Sequence, residues 1–220
     1  MQPCVLKIKL ENIRNYYDYH GISIENFLSF VNIIKMSPCI ELVHDIPEAE
    51  NYIFEGSQGL LLDQHYGFFP HVTRSNTGST NILEMGFEPE LFLVTRAYQT
   101  RHGNGPMTNE GISHSIKEDP NETNVSHQYQ GEFRRSILDL DLLKYGISKD
   151  DYIRNNLNSS TLVITCLDHL KYWELTLDGK LRTCFTEEEF VNLIQTQLGI
   201  ERVITSHSPD SINFEVKEGI

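Results

Sequence analysis

Residues 51–81 read NYIFEGSQGLLLDQHYGFFPHVTRSNTGSTN, and this stretch decides what fold we expect. It opens with three apolar residues that predict a buried strand. Gly56 and Gly59 then enclose Gln58, which allows a sharp turn and lets a ligand approach the backbone closely. The stretch ends in hydroxyl and amide side chains around one cation, Arg74, as an anionic ligand such as phosphate requires. A polar surface loop would have a similar composition, so composition leaves both interpretations open.

Composition sets the outer limits. The chain has 220 residues, 39% hydrophobic and 22% charged, which is typical of a globular protein. Its net charge of −13 argues against general nucleic-acid binding, which uses a basic face. No apolar run reaches the roughly 18 residues of a membrane span, and the start of the sequence lacks a signal-peptide pattern. We therefore expect a cytoplasmic protein that does not bind membranes, with its four cysteines reduced and mostly buried.

The order of elements predicts an α/β fold. Residues 161–167 form the clearest apolar run, as in a strand of a parallel sheet. Asp178 and Gly179 separate two alternating segments, which is a strong hairpin signal. Strands alternate with helical segments elsewhere, so we predict a mixed, mostly parallel sheet flanked by helices, with one β-hairpin. We expect a single partial domain over residues 1–220, with a helical lead-in at 1–50 and the core at 51–220.

Several local signals place individual elements. Ser23 predicts the start of a helix that ends before Pro38. Thr186 and Glu189 form a capping box for a second helix, which Gly199 ends and which a Phe185–Phe190 staple supports. The remaining predictions are an extended piece at 5–10, a helix at 39–50 that is interrupted near Pro47, one buried strand at 90–100, helices at 139–145 (stopped by Gly146) and 149–155 (capped by Ser148), and a last strand at 202–205.

Residues 101–130 are polar and contain scarcely any apolar side chains. A loop of this length is uncommon inside a compact domain unless it binds a ligand or is disordered. Arginines accompany this loop and the other polar segments: Arg74, Arg96, Arg101, Arg134 and Arg135. Against the acidic background, they predict a local anion site.

Residues 51–81 resemble the nucleotide-binding core of adenylosuccinate synthetase, in which a strand is followed by EGAQG, LLD, a turn and YPxVTSSNT. The resemblance continues to about residue 213 in four further blocks. These are residues 95–106 (family KAYxTRVGxGPFPTE), 131–135 (the arginine-rich GRRRR loop), 165–168 (TKLD) and 206–210 (STGPDR). It implies a partial adenylosuccinate synthetase-like fold, related to the P-loop NTPases.

The resemblance also implies a reaction. A nucleoside triphosphate phosphorylates the purine 6-oxygen of inosine monophosphate (IMP), and the amino group of L-aspartate displaces that phosphate to give adenylosuccinate. By position, the family roles fall on Gln58 (catalysis and the purine base), Thr73 and Arg74 (5′-phosphate), His102 (ribose, through the backbone), Arg134 (aspartate), Arg135 (substrate binding), Asp168 (the guanine base of the triphosphate), and Ser206 and Ser208 (nucleotide binding). The resemblance further implies purine biosynthesis, GTP or ATP as phosphate donor, Mg²⁺ and a homodimer.

One family motif is missing. The family begins with GDEGKGK, which cradles phosphates and supplies the catalytic aspartate, and this motif occurs nowhere in the sequence. EGSQG is no substitute, because a phosphate-binding Walker loop ends in GK followed by Ser or Thr. We therefore interpret the chain as the C-terminal part of an enzyme, with most Mg²⁺ ligands elsewhere and little activity when isolated.

Two smaller departures from the family motifs leave the identity of the substrate and of the phosphate donor undecided. Cys166 replaces the lysine of TKLD, which helps to hold guanine, and Glu132 enters the arginine loop. The TRSNTG and GEFR segments resemble the phage branch of the family, which makes N6-succinyl-2-aminodeoxyadenylate from dGMP and aspartate and favours an adenine nucleotide as donor. A non-catalytic nucleotide-binding remnant is a further alternative.

Structural roles compete with some of these assignments. Thr73 could be an ordinary strand-end hydroxyl, Arg135 a surface charge, and Asp168 the cap of the turn after its strand. Asp63, with His65 and His71 nearby, shows no metal-binding spacing, so we expect Asp63 to fix a turn.

Overall fold

The computed structural model describes residues 3–41, 43–120, 122–126, 128–209 and 214–218. The chain divides into two compact units, Met1–Ile53 and Phe54–Ile220. Within the described residues, no helix is both long and apolar enough to cross a bilayer.

The first unit contains two helices, α1 (Pro3–Tyr17) and α2 (Ile24–Met36). Ser23 caps α2, as predicted, because its Oγ accepts a hydrogen bond from the backbone N–H of Asn26 at 3.2 Å. The extended piece predicted at residues 5–10 is wrong, since it lies inside α1. A short apolar run by itself does not distinguish strand from helix.

The helix predicted at residues 39–50 is also wrong: the described residues of this segment form turns and irregular structure, and Leu42 lies outside them. The hydroxyl of Tyr52 organises the end of this segment. It donates to the carbonyl of Pro47 at 2.8 Å and accepts from the backbone N–H of Ala49 at 2.9 Å. A proline within the segment removes a backbone donor that a helix would need.

The second unit holds all the described strands. They are β1 (Phe92–Arg96), β2 (Tyr98–His102), β3 (Phe133–Asp139), β4 (Thr161–Thr165), β5 (Trp173–Leu177), β6 (Lys180–Cys184), β7 (Arg202–Ser206) and β8 (Phe214–Glu218). The helices of this unit are α3 (Thr80–Glu84), α4 (Leu140–Lys149), α5 (Asp151–Asn155) and α6 (Glu187–Leu198).

These strands form two four-stranded sheets. The first has the order β1-β4-β7-β8, in which β1, β4 and β7 are parallel and β8 is antiparallel. The second has the order β2-β3-β5-β6, with only β3 and β5 parallel. The α/β class is therefore confirmed. The prediction of a single sheet is wrong, because the strands form two separate sheets. The strand β7 is not the last, because β8 follows it.

The strand predicted at residues 90–100 divides at Ala97. This residue is 1% exposed, and its N–H donates to the carbonyl of Thr165 at 2.8 Å. The chain then leaves the first sheet, and β2 begins the second. An apolar run does not mark such a change of sheet, because both strands are partly buried.

Residues 52–54 do not form the predicted strand. Neither sheet of the described residues includes them, and Ile53 is 97% exposed. The ring of Phe54 instead packs against that of Phe87, with the centroids 4.9 Å apart. A strand depends on a neighbouring strand, which local sequence cannot supply.

The core lies in the second unit and includes residues of both sheets and of α6. In α6, Phe190, Val191 and Ile194 are fully buried. The cap at Thr186 is confirmed, since its Oγ1 accepts from the N–H of Glu189 at 3.1 Å. The staple is wrong, because Phe185 is exposed.

The helices after β3 differ slightly from the prediction. The helix α4 continues through Gly146, where the side chain of Leu60 packs closely against the helix. The cap of α5 is Asp150 rather than Ser148, because the Asp150 carboxylate accepts from the N–H of Ile153 at 3.0 Å. Gly146 therefore does not end the helix.

The hairpin of β5 and β6 is confirmed. Asp178 and Gly179 both have positive φ, as a two-residue hairpin turn requires. The prediction for the cysteines is only partly right, because Cys4 and Cys39 are exposed. Burial raises the pKa of the Cys184 thiol.

Candidate functional site

Two polar loops of the opening stretch are joined by hydrogen bonds. The hydroxyl of Thr77 donates to the carbonyl of Gly59 at 2.9 Å, next to Gln58. The backbone N–H of Thr73 donates to the carbonyl of Leu62 at 2.8 Å. The fold therefore brings the glycine-flanked turn against the TRSNTG segment, which the sequence analysis assigned to one ligand.

Asp63 holds this junction together. It is 1% exposed, and its carboxylate accepts backbone N–H groups from His65 at 2.8 Å, Tyr66 at 3.3 Å and Thr77 at 2.7 Å. Burial acts to raise the pKa of Asp63, but these hydrogen bonds outweigh it and hold the pKa below its usual value. The predicted turn-fixing role of Asp63 is confirmed.

The side chains assigned to the purine monophosphate differ in exposure. Gln58 is exposed and has a left-handed backbone with φ 65°, which is uncommon for a residue other than glycine. Arg74 is exposed and Thr73 is half-buried. Among the described residues, none forms a hydrogen bond with the side chain of Gln58 or Arg74. That these three side chains bind one ligand stays a prediction.

The far end of the TRSNTG loop is fixed to α5. Ser79 donates from its backbone N–H and its hydroxyl to the two carboxylate oxygens of Asp150, each at 2.7 Å. Gly78 is needed beside this contact, because a Cβ on it would lie 2.3 Å from Asp150 Oδ2. The loop is thus anchored to the body of the second unit.

Arg134 is surrounded by acceptors from its own chain. Its Nη1 donates to the carboxylate of Glu110 at 2.6 Å, and its Nη2 donates to the carbonyls of Gly103 at 2.6 Å and Gly105 at 2.9 Å. Its Nε is buried and has no partner among the described residues. A carboxylate therefore already occupies the arginine that was assigned to bind aspartate.

Arg101 faces Arg134 across the β2–β3 ladder. Its Nη2 donates to the carbonyl of His71 at 3.0 Å, two residues before Thr73. Burial, followed by the nearby charge of Arg134, lowers the pKa of Arg101. Arg101 thus connects the arginine pair to the TRSNTG loop.

The opposite face of this ladder carries His102 and Arg135. His102 Nε2 lies 3.2 Å from Asn124 Oδ1. Arg135 Nη1 donates to the carbonyl of Lys117 at 3.1 Å, so this arginine is not a free surface charge. His102 and Arg135 therefore lie on a different side of the strands from Arg134.

Asp168, Ser206 and Ser208 lie at one edge of the first sheet. The strands β4 and β7 are parallel neighbours, so their carboxyl ends meet there, where open α/β sheets commonly bind ligands. Ser206 is buried, and its hydroxyl donates to the carbonyl of Ser208 at 3.0 Å. The structure thus brings these three assigned residues together; Asp210 of the same motif lies outside the described residues.

The Asp168 carboxylate does not cap its turn. No backbone N–H of the described residues donates to it, and its side chain is 41% exposed, 3.7 Å from His169 Nε2. Lys117 reaches this turn from the long polar loop: its Nζ donates to the carbonyl of Asp168 and its N–H to that of His169. The sequence analysis did not identify Lys117.

A polar group lies nearby, and of its members the sequence motifs singled out only Arg96. Arg96 Nη1 contacts the Tyr98 hydroxyl at 3.2 Å and the Glu122 carboxylate at 3.0 Å, and Tyr98 Oη lies 3.0 Å from His169 Nδ1. Burial raises the pKa of Glu122, but hydrogen bonds from Asn124 and Arg96 lower it to about 2. No local signal reveals this group, since its members come from separate segments.

The described residues contain no preformed cluster of metal ligands. Magnesium requires several converging oxygen ligands. Nowhere in the part of the chain that the structure describes do three His, Cys, Asp or Glu side chains come close enough to hold a metal ion.

Comparisons with known proteins all point to the same family. A family model described as adenylosuccinate synthetase matches residues 7–177. This match includes residues before 51, where the motifs of the sequence analysis begin.

The alignments with individual relatives cover most of this chain but less than half of each relative. Adenylosuccinate synthetase of Komagataella phaffii is 29% identical over 196 residues, which is 81% of this chain and 45% of the relative. That of Clostridium botulinum (strain Alaska E43 / Type E3) is 36% identical over 168 residues, 66% of this chain and 39% of the relative. The structure of fully ligated adenylosuccinate synthetase from Plasmodium falciparum is 19% identical, covering 74% of this chain and 49% of that one, with a TM-score of 0.49. The chain thus spans less than half the length of these relatives.

Proposed function

Because this chain belongs to the adenylosuccinate synthetase family, we propose that it provides the substrate-binding and base-binding part of a ligase that joins L-aspartate to IMP. In this reaction the 6-oxygen of IMP accepts the γ-phosphoryl group of a nucleoside triphosphate. The amino group of aspartate then forms a C–N bond at C6, and phosphate leaves with that oxygen. The observation that carries the proposal is the hydrogen bond between Thr77 and Gly59, which joins the two halves of the proposed purine site.

Gln58 and the TRSNTG loop form the proposed IMP site. An amide both donates and accepts hydrogen bonds, so Gln58 suits a purine 6-oxygen beside a ring nitrogen. Thr73 and Arg74 supply a hydroxyl and a cation for the 5′-phosphate. His102 contributes its backbone to the ribose.

Arg134 is the proposed aspartate-binding residue, because a guanidinium matches a carboxylate in charge and geometry. Arg135 lies on the opposite face of β3, so the substrate contact proposed for it is a separate one. Glu110 holds Arg134 Nη1 in the structure. Substrate aspartate would therefore have to replace the Glu110 carboxylate.

Asp168, Ser206 and Ser208 are the proposed site for the base of the phosphate donor. They lie at the carboxyl edge of two parallel strands, and the Asp168 carboxylate is partly exposed there. We propose GTP as the donor.

The rest of the active site is proposed to come from a polypeptide that carries the GDEGKGK motif. Phosphate positioning and the general base would then reside on that polypeptide, together with most Mg²⁺ ligands. We propose that the assembled enzyme works in the cytoplasm as a homodimer.

The first test is calorimetric titration of the chain with IMP. We expect measurable binding that is lost in Gln58→Ala and retained in Gln197→Ala, an exposed glutamine on α6. Gln58→Gly is a second variant, which removes the amide without forcing a side chain into the left-handed backbone. A folded chain that binds no purine monophosphate would overturn the proposal.

The second test is co-expression with a polypeptide that carries GDEGKGK, followed by an assay for aspartate-dependent phosphate release. Release that depends on both polypeptides supports a ligase. Nucleotide binding without release in any combination would instead support the non-catalytic remnant.

The phage-type reaction, which uses dGMP as substrate, is the alternative. It is favoured by Glu132 in the arginine loop and by the TRSNTG sequence. It predicts that dGMP binds more tightly than IMP in the same titration. Preference for IMP would exclude it.

A further inference from the structure

Three hydrogen bonds fix Lys117, and two of them are with the turn after β4. Its backbone N–H donates to the carbonyl of His169 at 2.8 Å, and its Nζ donates to the carbonyl of Asp168. Its own carbonyl accepts a hydrogen bond from Arg135 at 3.1 Å. Lys117 is therefore fixed at both its backbone and its ammonium group, although it belongs to a long polar loop.

This arrangement places the Lys117 ammonium group against the main chain of the residue that carries the Asp168 carboxylate. An ammonium group has three N–H donors, and the structure assigns one of them to the Asp168 carbonyl. The Asp168 carboxylate is 41% exposed, and no described backbone N–H donates to it. The turn thus presents the two carboxylate oxygens of Asp168 as acceptors and the remaining N–H groups of Lys117 as donors. Both lie at the carboxyl edge of parallel strands.

We infer that Lys117 is a specificity-determining residue, which together with Asp168 selects a guanine rather than an adenine base in the phosphate donor. This inference rests on the proposed function, because it concerns the base site assigned there to Asp168. The expected contacts are Asp168 with the two guanine donors and Lys117 with the neighbouring acceptor.

Guanine and adenine present different hydrogen-bonding groups to Asp168 and Lys117, and only those of guanine match both side chains. Guanine presents its N1–H and 2-amino group as adjacent donors, which one carboxylate accepts together, and its 6-oxygen follows as an acceptor for an ammonium group. Adenine presents one amino donor on this edge and no second donor. One oxygen of Asp168 would then lose its partner, and an unsatisfied polar group lowers affinity.

A role of Lys117 in base binding would explain why Cys166 can replace the lysine of the family motif. A lysine at this position accompanies Asp168 in the family motif, and Cys166 removes that cation. Lys117 returns an ammonium group to the same turn from a residue 51 positions away from Asp168. Preference for guanine would therefore survive the loss of the motif lysine.

The test compares GDP and ADP binding to the full chain by NMR titration, up to millimolar nucleotide. We expect wild type to prefer GDP, and Lys117→Met to lower the ratio of GDP to ADP affinity about tenfold, the effect of one charge-assisted hydrogen bond. Lys171→Met is the control: its ammonium lies over the Tyr172 ring, and the ratio should not change. Restoration of the preference by Cys166→Lys in the Lys117→Met background would show that the cation itself is required.

The outcomes separate the inference from the proposed function. Wild-type preference for GDP with an unchanged ratio in Lys117→Met overturns the role of Lys117 and leaves the base site in place. Preference for ADP in wild type overturns the inference while the ligase proposal stands with an adenine donor. Absence of any nucleotide binding by the folded chain overturns both.

Discussion

Asp150 and Ser79, 71 positions apart in sequence, are joined by two buried hydrogen bonds of 2.7 Å. The same carboxylate also caps α5 through the N–H of Ile153. One side chain therefore fixes both the TRSNTG loop and the start of a helix.

Replacing Asp150 should consequently destabilise the second unit. We expect Asp150→Ala to lower the free energy of unfolding by about 2–4 kcal/mol, because it leaves buried donors without acceptors and removes a helix cap. Urea denaturation measures this loss. Asp151→Ala is the matched control at an exposed neighbour, for which a change within about 0.5 kcal/mol is expected. Equal effects of the two variants would contradict the anchoring role.

The Thr77–Gly59 link should support ligand binding. Thr77→Val keeps the shape of the side chain and the backbone bond to Asp63, but removes the hydroxyl that donates to Gly59. We expect IMP affinity to fall about fivefold or more, since the turn that carries Gln58 loses about 1 kcal/mol of support. Calorimetry measures the change, with the exposed Thr196→Val as control. Unaltered IMP affinity in Thr77→Val would mean that the two loops bind independently.

Glu122 should make stability depend on pH in the acid range. Its pKa is about 2 in the folded protein, below the value of about 4.3 expected when unfolded. The stabilisation from ionised Glu122 is therefore complete above about pH 4.3 and disappears as pH falls through 2. We expect Glu122→Gln to be less stable than wild type by about 1–3 kcal/mol at neutral pH, with the difference vanishing near pH 2.

Denaturant midpoints measured between pH 2 and 7 test this difference. Glu118→Gln is the control, because Glu118 is highly exposed and 3.8 Å from its partner Arg135. A Glu122→Gln curve parallel to wild type at every pH would show that the ion pair with Arg96 contributes nothing.

The Glu110–Arg134 pair predicts a change in aspartate affinity. If substrate aspartate replaces Glu110 at Arg134 Nη1, removal of that carboxylate makes Arg134 easier to occupy. In the co-expressed enzyme we expect Glu110→Gln to lower KM for aspartate about threefold to tenfold, and Arg134→Lys to raise it by tenfold or more, because lysine lacks the guanidinium geometry. Steady-state kinetics with varied aspartate measures both, with Glu188→Gln at an exposed position of α6 as control. An increased KM in Glu110→Gln would show that Glu110 positions Arg134 rather than competing for it.

Local sequence predicted those elements whose signals lie within a few residues. The caps at Ser23 and Thr186 and the turn at Asp178 and Gly179 each depend on one side chain and nearby backbone groups. The turn-fixing role of Asp63 follows the same logic, since two of its three backbone partners lie two and three residues away. The predictions at residues 5–10 and 52–54 failed because the competing conformations differ in long-range contacts, which a short apolar run does not encode. The helix predicted at 39–50 failed for a local reason, since Pro47 lacks the backbone donor that a helix needs.

The sequence by itself determined the family, the α/β class and the polar segments that carry the proposed chemistry, because motif residues and hydrogen-bond caps act at short range. Only the tertiary structure decided that residues 90–100 serve two sheets, that Glu110 occupies Arg134, and that Lys117 reaches the turn of Asp168. These relationships depend on which strands become neighbours and where the long loop packs. Such contacts gain free energy only after distant segments have met, and no pattern within any one segment specifies them.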